Sequence, residues 1–485
     1  MKHVTSTKVT QSRREFLRTA GLVSAAFCGL RHVFGNGNAL ALDRSEPQMP
    51  FGPLQADPYG VLNLPAGFRY HVFSKLGERM DDGLLVPGMH DGMAAFAGPN
   101  GRTILVRNHE LADGPARQGA FGWTLELFDR VPRDRVYDAG HGRAPGLGGT
   151  TTLVYDTQAH RLERHFLSLA GTHNNCAGGP TPWGTWISCE ETQQQAGDAY
   201  EQDHGYNFEV PASAQIGLVE PKPLKGMGRF SHEAVAVDAT TGIVYQTEDV
   251  EDGLIYRYIP HRRGDLPAGG RLQALAVRDQ PSMDTRNWVD EAGKRVGPRI
   301  TQGTVFEVAW LDLDQIDSPD NDLRHRGFAA GAARFARGEG MWYDNRSVFF
   351  ACTNGGQNRK GQIWRYRPSR FEGELGGTSQ KSEQHEPGRL ELFIEPNDRT
   401  LVENCDNVTV APWGDLVLCE DGPDEQFLVG VRPDGTTYRL AKNVANGSEF
   451  AGATFSPDGS TLFLNVQSLG VTMAVTGPWP AASAS

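Results

Sequence analysis

The chain has 485 residues, of which 58 are Gly and 29 Pro, a turn-rich composition that suits an all-β fold. A formal net charge of -12 argues against DNA or RNA as a partner, because phosphate backbones are bound by basic surfaces.

Residues 1–41 read as an export signal rather than as part of the fold. Ser12-Arg13-Arg14-Glu15-Phe16-Leu17 precedes a weakly apolar run from Thr19 to Leu30, and Ala39-Leu40-Ala41 offers a small-residue cleavage site. We expect a twin-arginine signal peptide over 1–41, one domain over 42–485, and a periplasmic or secreted location. Cys28 follows Phe27, a poor fit to a lipoprotein site. No other stretch approaches the ~20 apolar residues that a membrane span needs. The expected partners are a small-molecule substrate and the twin-arginine export machinery, with no nucleic acid and no membrane span, on a monomeric chain.

Six stretches then share one pattern. In chain order they are HDGMAAFAGPNGRTILVRNHE (90–110), NCAGGPTPWGTWISCEE (175–191), HEAVAVDATTGIVYQTED (232–249), GEGMWYDNRSVFFACTN (338–354), NCDNVTVAPWGDLVLCED (404–421) and EFAGATFSPDGSTLFLNVQ (449–467). Each reads as a small-residue strand, a turn, and a second strand of alternating apolar residues. A liganding group leads each one: Asp91, Cys176, Glu233, Glu339, Asp406 and Glu449. Others trail it: Asn108 and Glu110, Glu190 and Glu191, Glu248 and Asp249, Asn354, Glu420 and Asp421, Asn465 and Gln467. The first and last residues of a hairpin are neighbours at its open end. Six hairpins therefore present polar groups that belong to one shared site.

Repeated β units with loose spacing between them predict an all-β, six-bladed β-propeller with long inserted loops. Small inner-strand residues such as Gly178-Gly179 and Ala234-Val235-Ala236 suit crowding near an axis. Outer strand pairs are expected at 151–156 with 163–169, 255–259 with 306–311, and 362–366 with 389–394. Residues 260–299 read as a long loop or lid, and 373–387 as a polar, flexible segment. Without the signal, five cysteines remain, so at least one is free of intramolecular pairing. Cys189, Cys352 and Cys419 read as small buried hydrophobes. A Cys405–Cys419 bridge is left open.

Carboxylates gathered at one opening (Asp91, Glu110, Glu190, Glu191, Glu233, Glu248, Glu339, Asp406, Glu420 and Asp421) would repel one another and call for a counter-cation. Oxygen ligands in that number, with amides such as Asn108, suit calcium. Cys176 breaks the rule, because a thiolate prefers a softer transition metal. The residues thus predict a mixed cluster that activates water and polarises an oxyanion. Arg337, two residues before Glu339, is the preferred partner for an anionic substrate, ahead of Arg107 and Arg229. Cys176, Glu339 and Arg337 are the expected catalytic residues. His90, His109, His173 and His232 are expected to support ligands rather than to bind metal.

At these residues the chain resembles the PhoX family of exported alkaline phosphatases. The signal, RNHE (107–110), NCAGGPTPWGTWISCEE, RFSHEAVAVD (229–238), ARGEGMWY (336–343), NCDNVTVAPWGDLVLCED and EFAGATFSPDGSTLFLN carry the resemblance. It implies two irons and up to three calcium ions at the axis and hydrolysis of phosphate monoesters. It also implies iron ligands at Cys176, Glu233 and Glu339, calcium ligands at Glu191, Asp406 and Asp421, and phosphate contact by Arg337. Two departures stand out: the chain is shorter than many members, and its last repeat ends in Asn465 and Gln467 rather than in carboxylates. Competing readings are a calcium-dependent lactonase or phosphodiesterase, and a non-catalytic calcium-binding propeller.

Overall fold

The computed structural model describes residues 50–482 apart from 113, 116, 117 and 375–380. The signal segment lies outside the described residues. All six predicted hairpins form. Their first strands are His90–Ala97, Asn175–Pro180, His232–Val237, Gly338–Asp344, Cys405–Val410 and Phe450–Phe455. Each packs beside the next, and the sixth packs against the first, so the ring of first strands closes. The architecture is all-β and propeller-like.

Among the described residues, five hydrogen-bonded sheets radiate from this ring. The first hairpin continues into Gly148–Asp156 and Arg161–Thr172, pairing as predicted. The second carries one further strand, Asn207–Pro211. The third and fourth hairpins are the two ends of one nine-stranded sheet, linked through Val305–Asp312. The fifth gains Leu54–Gln55 and Leu62–Pro65 at its outer edge. The sixth is completed by Arg69–Lys75, which pairs with Val471–Thr476 near the other end of the chain.

Neighbouring sheets pack face to face. Ala94, Val106 and Leu169 of the first sheet meet Trp186, Phe208 and Val210 of the second in one apolar cluster. A sheet covered on both sides buries both of its faces, so its strands read as continuous apolar runs rather than as alternation. Phe427–Val431 (FLVGV) is buried at every position. Each such large side chain removed from water contributes roughly 1.5–3 kcal/mol.

Two expectations need correction. Residues 260–299 are not a single loop, because Gly270–Val277 forms a strand between Ile255–Pro260 and Val305–Asp312. The predicted pairing of 255–259 with 306–311 therefore has a strand inserted in it. Charged flanks (Arg262, Arg263 and Asp265 before it, Arg278 and Asp279 after) mask this strand in the sequence. In 373–387, residues 375–380 lie outside the described set, and the rest is anchored rather than free. Glu383 forms a two-pronged ion pair with the buried Arg257, which also binds Glu372. The pairing of 362–366 with 389–394 is observed.

The Cys405–Cys419 bridge is absent, and all five described cysteines are free and buried. Cys405 pairs across its hairpin with Glu420, so Cys419 points to the opposite face of the sheet. The two thiols sit in different apolar clusters.

Candidate metal centre

The same irregularity recurs in every hairpin. The ladder begins with one pair at the open end in five hairpins (His90 with His109, Asn175 with Glu190, His232 with Glu248, Gly338 with Cys352, Cys405 with Glu420) and with two in the sixth, Phe450 with Val466 and Ala451 with Asn465. Immediately after it the register shifts, which marks a β-bulge. A bulge leaves a residue unpaired and turns its side chain out of the alternation. The residue that follows the pair is Asp91, Cys176, Glu233, Glu339 and Asp406 in the first five hairpins, and Gly452 in the sixth. The bulge is thus the device that aims five of the leading groups. Glu449 departs from the repeat, reaching the site from just before its strand.

Adjacent bulges are pressed together. A Cβ on Gly340 would lie 2.6 Å from the Cα of Asn407, and one on Gly452 would lie 2.5 Å from the carbonyl oxygen of Asp91. Only glycine allows that approach.

Nine carboxylates (Asp91, Glu110, Glu191, Glu233, Asp249, Glu339, Asp406, Asp421 and Glu449) sense one another's charge at this opening. Burial drives Glu191, Glu233, Glu339 and Glu449 well above the usual carboxylate range, and the neighbouring acids add to it. Burial and Glu110 do the same to Asp91. For the same reasons Glu110 is raised to about 7 and Asp406 to about 6. The Cys176 thiol is pushed up by burial, then by Glu233 and Glu191. Such a cluster is out of balance unless positive charge is supplied.

Three groups of these side chains can each place their ligand atoms within 4.8 Å of one another: Cys176, Glu191 and Glu233; Glu233, Glu339 and Asp406; and Asp406, Asp421 and Glu449. Glu233 and Asp406 are shared, so the groups form a chain of three positions. The donor sets fit metal ions, with one thiol at one end and oxygen alone at the other.

Arg337 is the guanidinium at the opening. Its Nε and Nη2 bind the two oxygens of Asp249 at 2.9 and 2.8 Å, and Nη2 also meets Glu339 at 2.7 Å. Those bonds leave the two N–H groups of Nη1 for an anionic ligand. Arg107 and Arg229 serve elsewhere. Arg107 is buried among Ser74, Thr151 and Thr472, and Arg229 binds the backbone carbonyls of Gln193, Gln194 and His204.

Of the predicted ligands, Asn108, Glu190, Glu248 and Glu420 are not brought into the cluster. Asn108 accepts from Trp186 and Ser188 and donates to the carbonyls of Cys176 and Ala177. Glu190 accepts backbone N–H groups of His173, Gly205 and Tyr206. Glu248 binds the Leu254 N–H and the Tyr256 hydroxyl, and Glu420 binds the N–H groups of Glu403 and Phe427. In each acidic pair the first member holds the next connection in place, and the second faces the opening. Asp249, rather than Glu248, is therefore the site residue of the third hairpin. In the fourth, register puts Thr353 rather than Asn354 at that position. In the sixth, Gln467 donates to Asp91 at 2.9 Å and Glu110 at 2.7 Å, joining two carboxylates without a third.

The supporting histidines bind backbone or hydroxyl groups, as expected of residues beside the ligands. His90 contacts the Pro87 carbonyl, His109 that of Gly88, and His232 that of Gly228. A histidine that the sequence reading passed over matters more. His204 lies fully buried between Glu190 (2.7 Å) and Asp138 (3.1 Å). Burial alone would lower its pKa, but Glu190 and Asp138 outweigh that and raise it from 6.5 to about 9. Its contribution to stability is complete below pH 6.5 and lost as pH rises through about 9. His204→Gln should therefore cost most near pH 6 and remove a slope of at most ~1.4 kcal/mol per pH unit between those values. Urea unfolding from pH 6 to 10 measures this; a mutant curve parallel to the wild type would contradict it.

Comparison with solved structures matches the fold to Pseudomonas fluorescens PhoX in complex with vanadate, a transition-state analogue. That match has a TM-score of 0.61 and 17% identity, and covers 88% of this chain and 98% of that one. A weaker likeness, to the Xanthomonas campestris gluconolactonase XC5397, has a TM-score of 0.38 and 13% identity over 88% of this chain and 98% of that one. No curated protein matches the sequence. Residues 49–470, however, match the family described as alkaline phosphatase PhoX along nearly the whole fold, and the chain belongs to that family.

Proposed function

We propose that the protein is an exported phosphatase that hydrolyses phosphate monoesters at a mixed iron–calcium centre on the axis. With the nine-stranded sheet counted as two blades joined through Val305–Asp312, the ring has six blades, each contributing to the centre. The observation that carries the reading is one thiol inside an otherwise all-carboxylate ring, beside an arginine with free donors. Cys176, Glu233 and Glu339 would hold two irons. Asp406, Asp421, Glu191 and Glu449 would hold up to three calcium ions. Bound there, these metals supply Lewis-acid charge for a phosphoryl oxygen and lower the pKa of a bound water.

The chain's own groups do the rest. Arg337 presents Nη1 to phosphate oxygens while Asp249 and Glu339 fix the plane of its guanidinium. That orientation is set before substrate arrives, so little is lost in ordering it. The buried leading groups keep bulk water from one side of the ligand. Gln467 bridges Asp91 and Glu110 and holds the sixth hairpin against the first.

Protein recovered from the exported fraction and loaded with both metals should hydrolyse 4-nitrophenyl phosphate and should contain iron as well as calcium. A calcium chelator should abolish turnover. It should also lower stability, by about 2.7 kcal/mol for each ion present at a hundred times its dissociation constant. Metal-replete protein that cleaves lactones or diesters but no monoester would sink the proposal. Calcium without iron would point to a binding propeller.

A further inference from the structure

Two cavities are large enough for a small ligand. The larger, about 970 Å³, is lined by the hairpin turns around Asn345, Trp413 and Gly459, and so lies at the end remote from the metal ligands. The other, about 490 Å³, is lined by Gly114, Leu125, Arg143, Pro145, Leu147 and Ala199, among others. Every residue lining it belongs to one of two connections. Residues 110–147 leave the strand Thr103–His109 where that strand ends beside Glu110, and residues 191–206 leave Thr185–Glu190 beside Glu191. Both connections begin at a site carboxylate and return to a strand that starts at the same end of its sheet: His109 pairs with Gly149, and Cys189 with Asn207.

The connections that line the cavity therefore leave from, and return to, the end of the sheets that carries the ligands. Gly114 is four residues from Glu110, which bounds their Cα separation at about 15 Å. The two walls are tied together by hydrogen bonds from His141 Nε2 to the Gly197 carbonyl and from the Ala139 N–H to Glu201. The wall that holds Leu125 is tied back to the centre, because the Asn174 N–H binds the Leu111 carbonyl and the Glu191 N–H binds the Asn174 carbonyl. Its size suits a small ligand. Leu125, Pro145, Leu147 and Ala199 provide apolar surface, and Trp123 stands 70% exposed two residues from Leu125.

We propose that this cavity receives the alcohol part of the phosphate monoester, and that it selects aromatic or other apolar alcohols over small polar ones. The inference rests on the phosphatase reading. The phosphoryl group would sit at Arg337 and the ester oxygen would point along the face toward Leu125 and Leu147. Arg143, at the rim, can lie against the face of an aromatic ring.

Ala144 and Ala199 are exposed on different walls, so Ala144→Trp and Ala199→Trp fill the cavity without touching the core. Each should raise KM for 1-naphthyl phosphate about tenfold with kcat little changed, and should leave glycerol phosphate within about twofold. 1-Naphthol should inhibit the wild type competitively and both variants weakly. Its binding, followed by calorimetry on metal-loaded protein, gives a readout that needs no turnover. Equal effects on both esters, or naphthol bound as well by both variants as by the wild type, would overturn the proposal. If naphthol binds but no monoester is cleaved, the cavity stands and the phosphatase reading falls.

Discussion

Cys176→Ser should strip iron from the protein and leave calcium in place, with phosphatase activity reduced on the order of 10²-fold or more. The structure separates the two outcomes. Cys176 belongs to the group with Glu191 and Glu233, whereas Asp406, Asp421 and Glu449 form a group that shares no member with it. Serine preserves the size of the buried side chain but offers a hard oxygen in place of a soft sulfur. Folding should therefore survive. Elemental analysis and steady-state kinetics on the same preparation make the test. A serine variant that keeps iron and full activity would reduce Cys176 to a small buried apolar residue, the role that Cys189, Cys352, Cys405 and Cys419 fill.

Arg337→Met should lower kcat by about 10²–10³-fold, the effect of removing a pre-aimed donor from a developing charge. Inorganic phosphate should also lose most of its power as a competitive inhibitor. Arg337→Lys should rescue little, because an ammonium group cannot span both oxygens of Asp249 while reaching Glu339. A second effect separates this role from simple charge neutralisation. With Arg337 gone, Asp249 and Glu339 have lost their guanidinium partner, so folding of the variant should depend more steeply on calcium. Unchanged kcat and unchanged phosphate inhibition would show that the guanidinium only balances its neighbours.

The repeats were legible because geometry forces them. Each hairpin must close its turn with Gly, Pro, Asp or Asn, and each must put small residues where first strands crowd, so the pattern recurs in the sequence. The leading groups were legible for the same reason. The trailing groups were legible only as adjacent pairs, because a shift of one residue exchanges the two faces of a strand. Choosing between Glu248 and Asp249 requires the bulge in the partner strand, and a bulge leaves no residue signature of its own beyond the glycines Gly92, Gly340 and Gly452. His204 was invisible for a different reason. It lies in a connection, far in sequence from Asp138, and only the packing of two connections brings the pair within 3.1 Å. Gly270–Val277 was hidden by the charges on either side of it.

The closure of the ring has a consequence for the order of events in the cell. Arg69–Lys75, among the first strands to be synthesised, finds its partner only in Val471–Thr476, among the last. Contacts of such long range form late and slowly. The sixth hairpin supplies Glu449 and Gln467, and Gln467 must reach Asp91 and Glu110 across the seam. The opening is therefore incomplete until the sixth hairpin has closed on the first. A chain that lacks this hairpin loses the joint that shuts the circle.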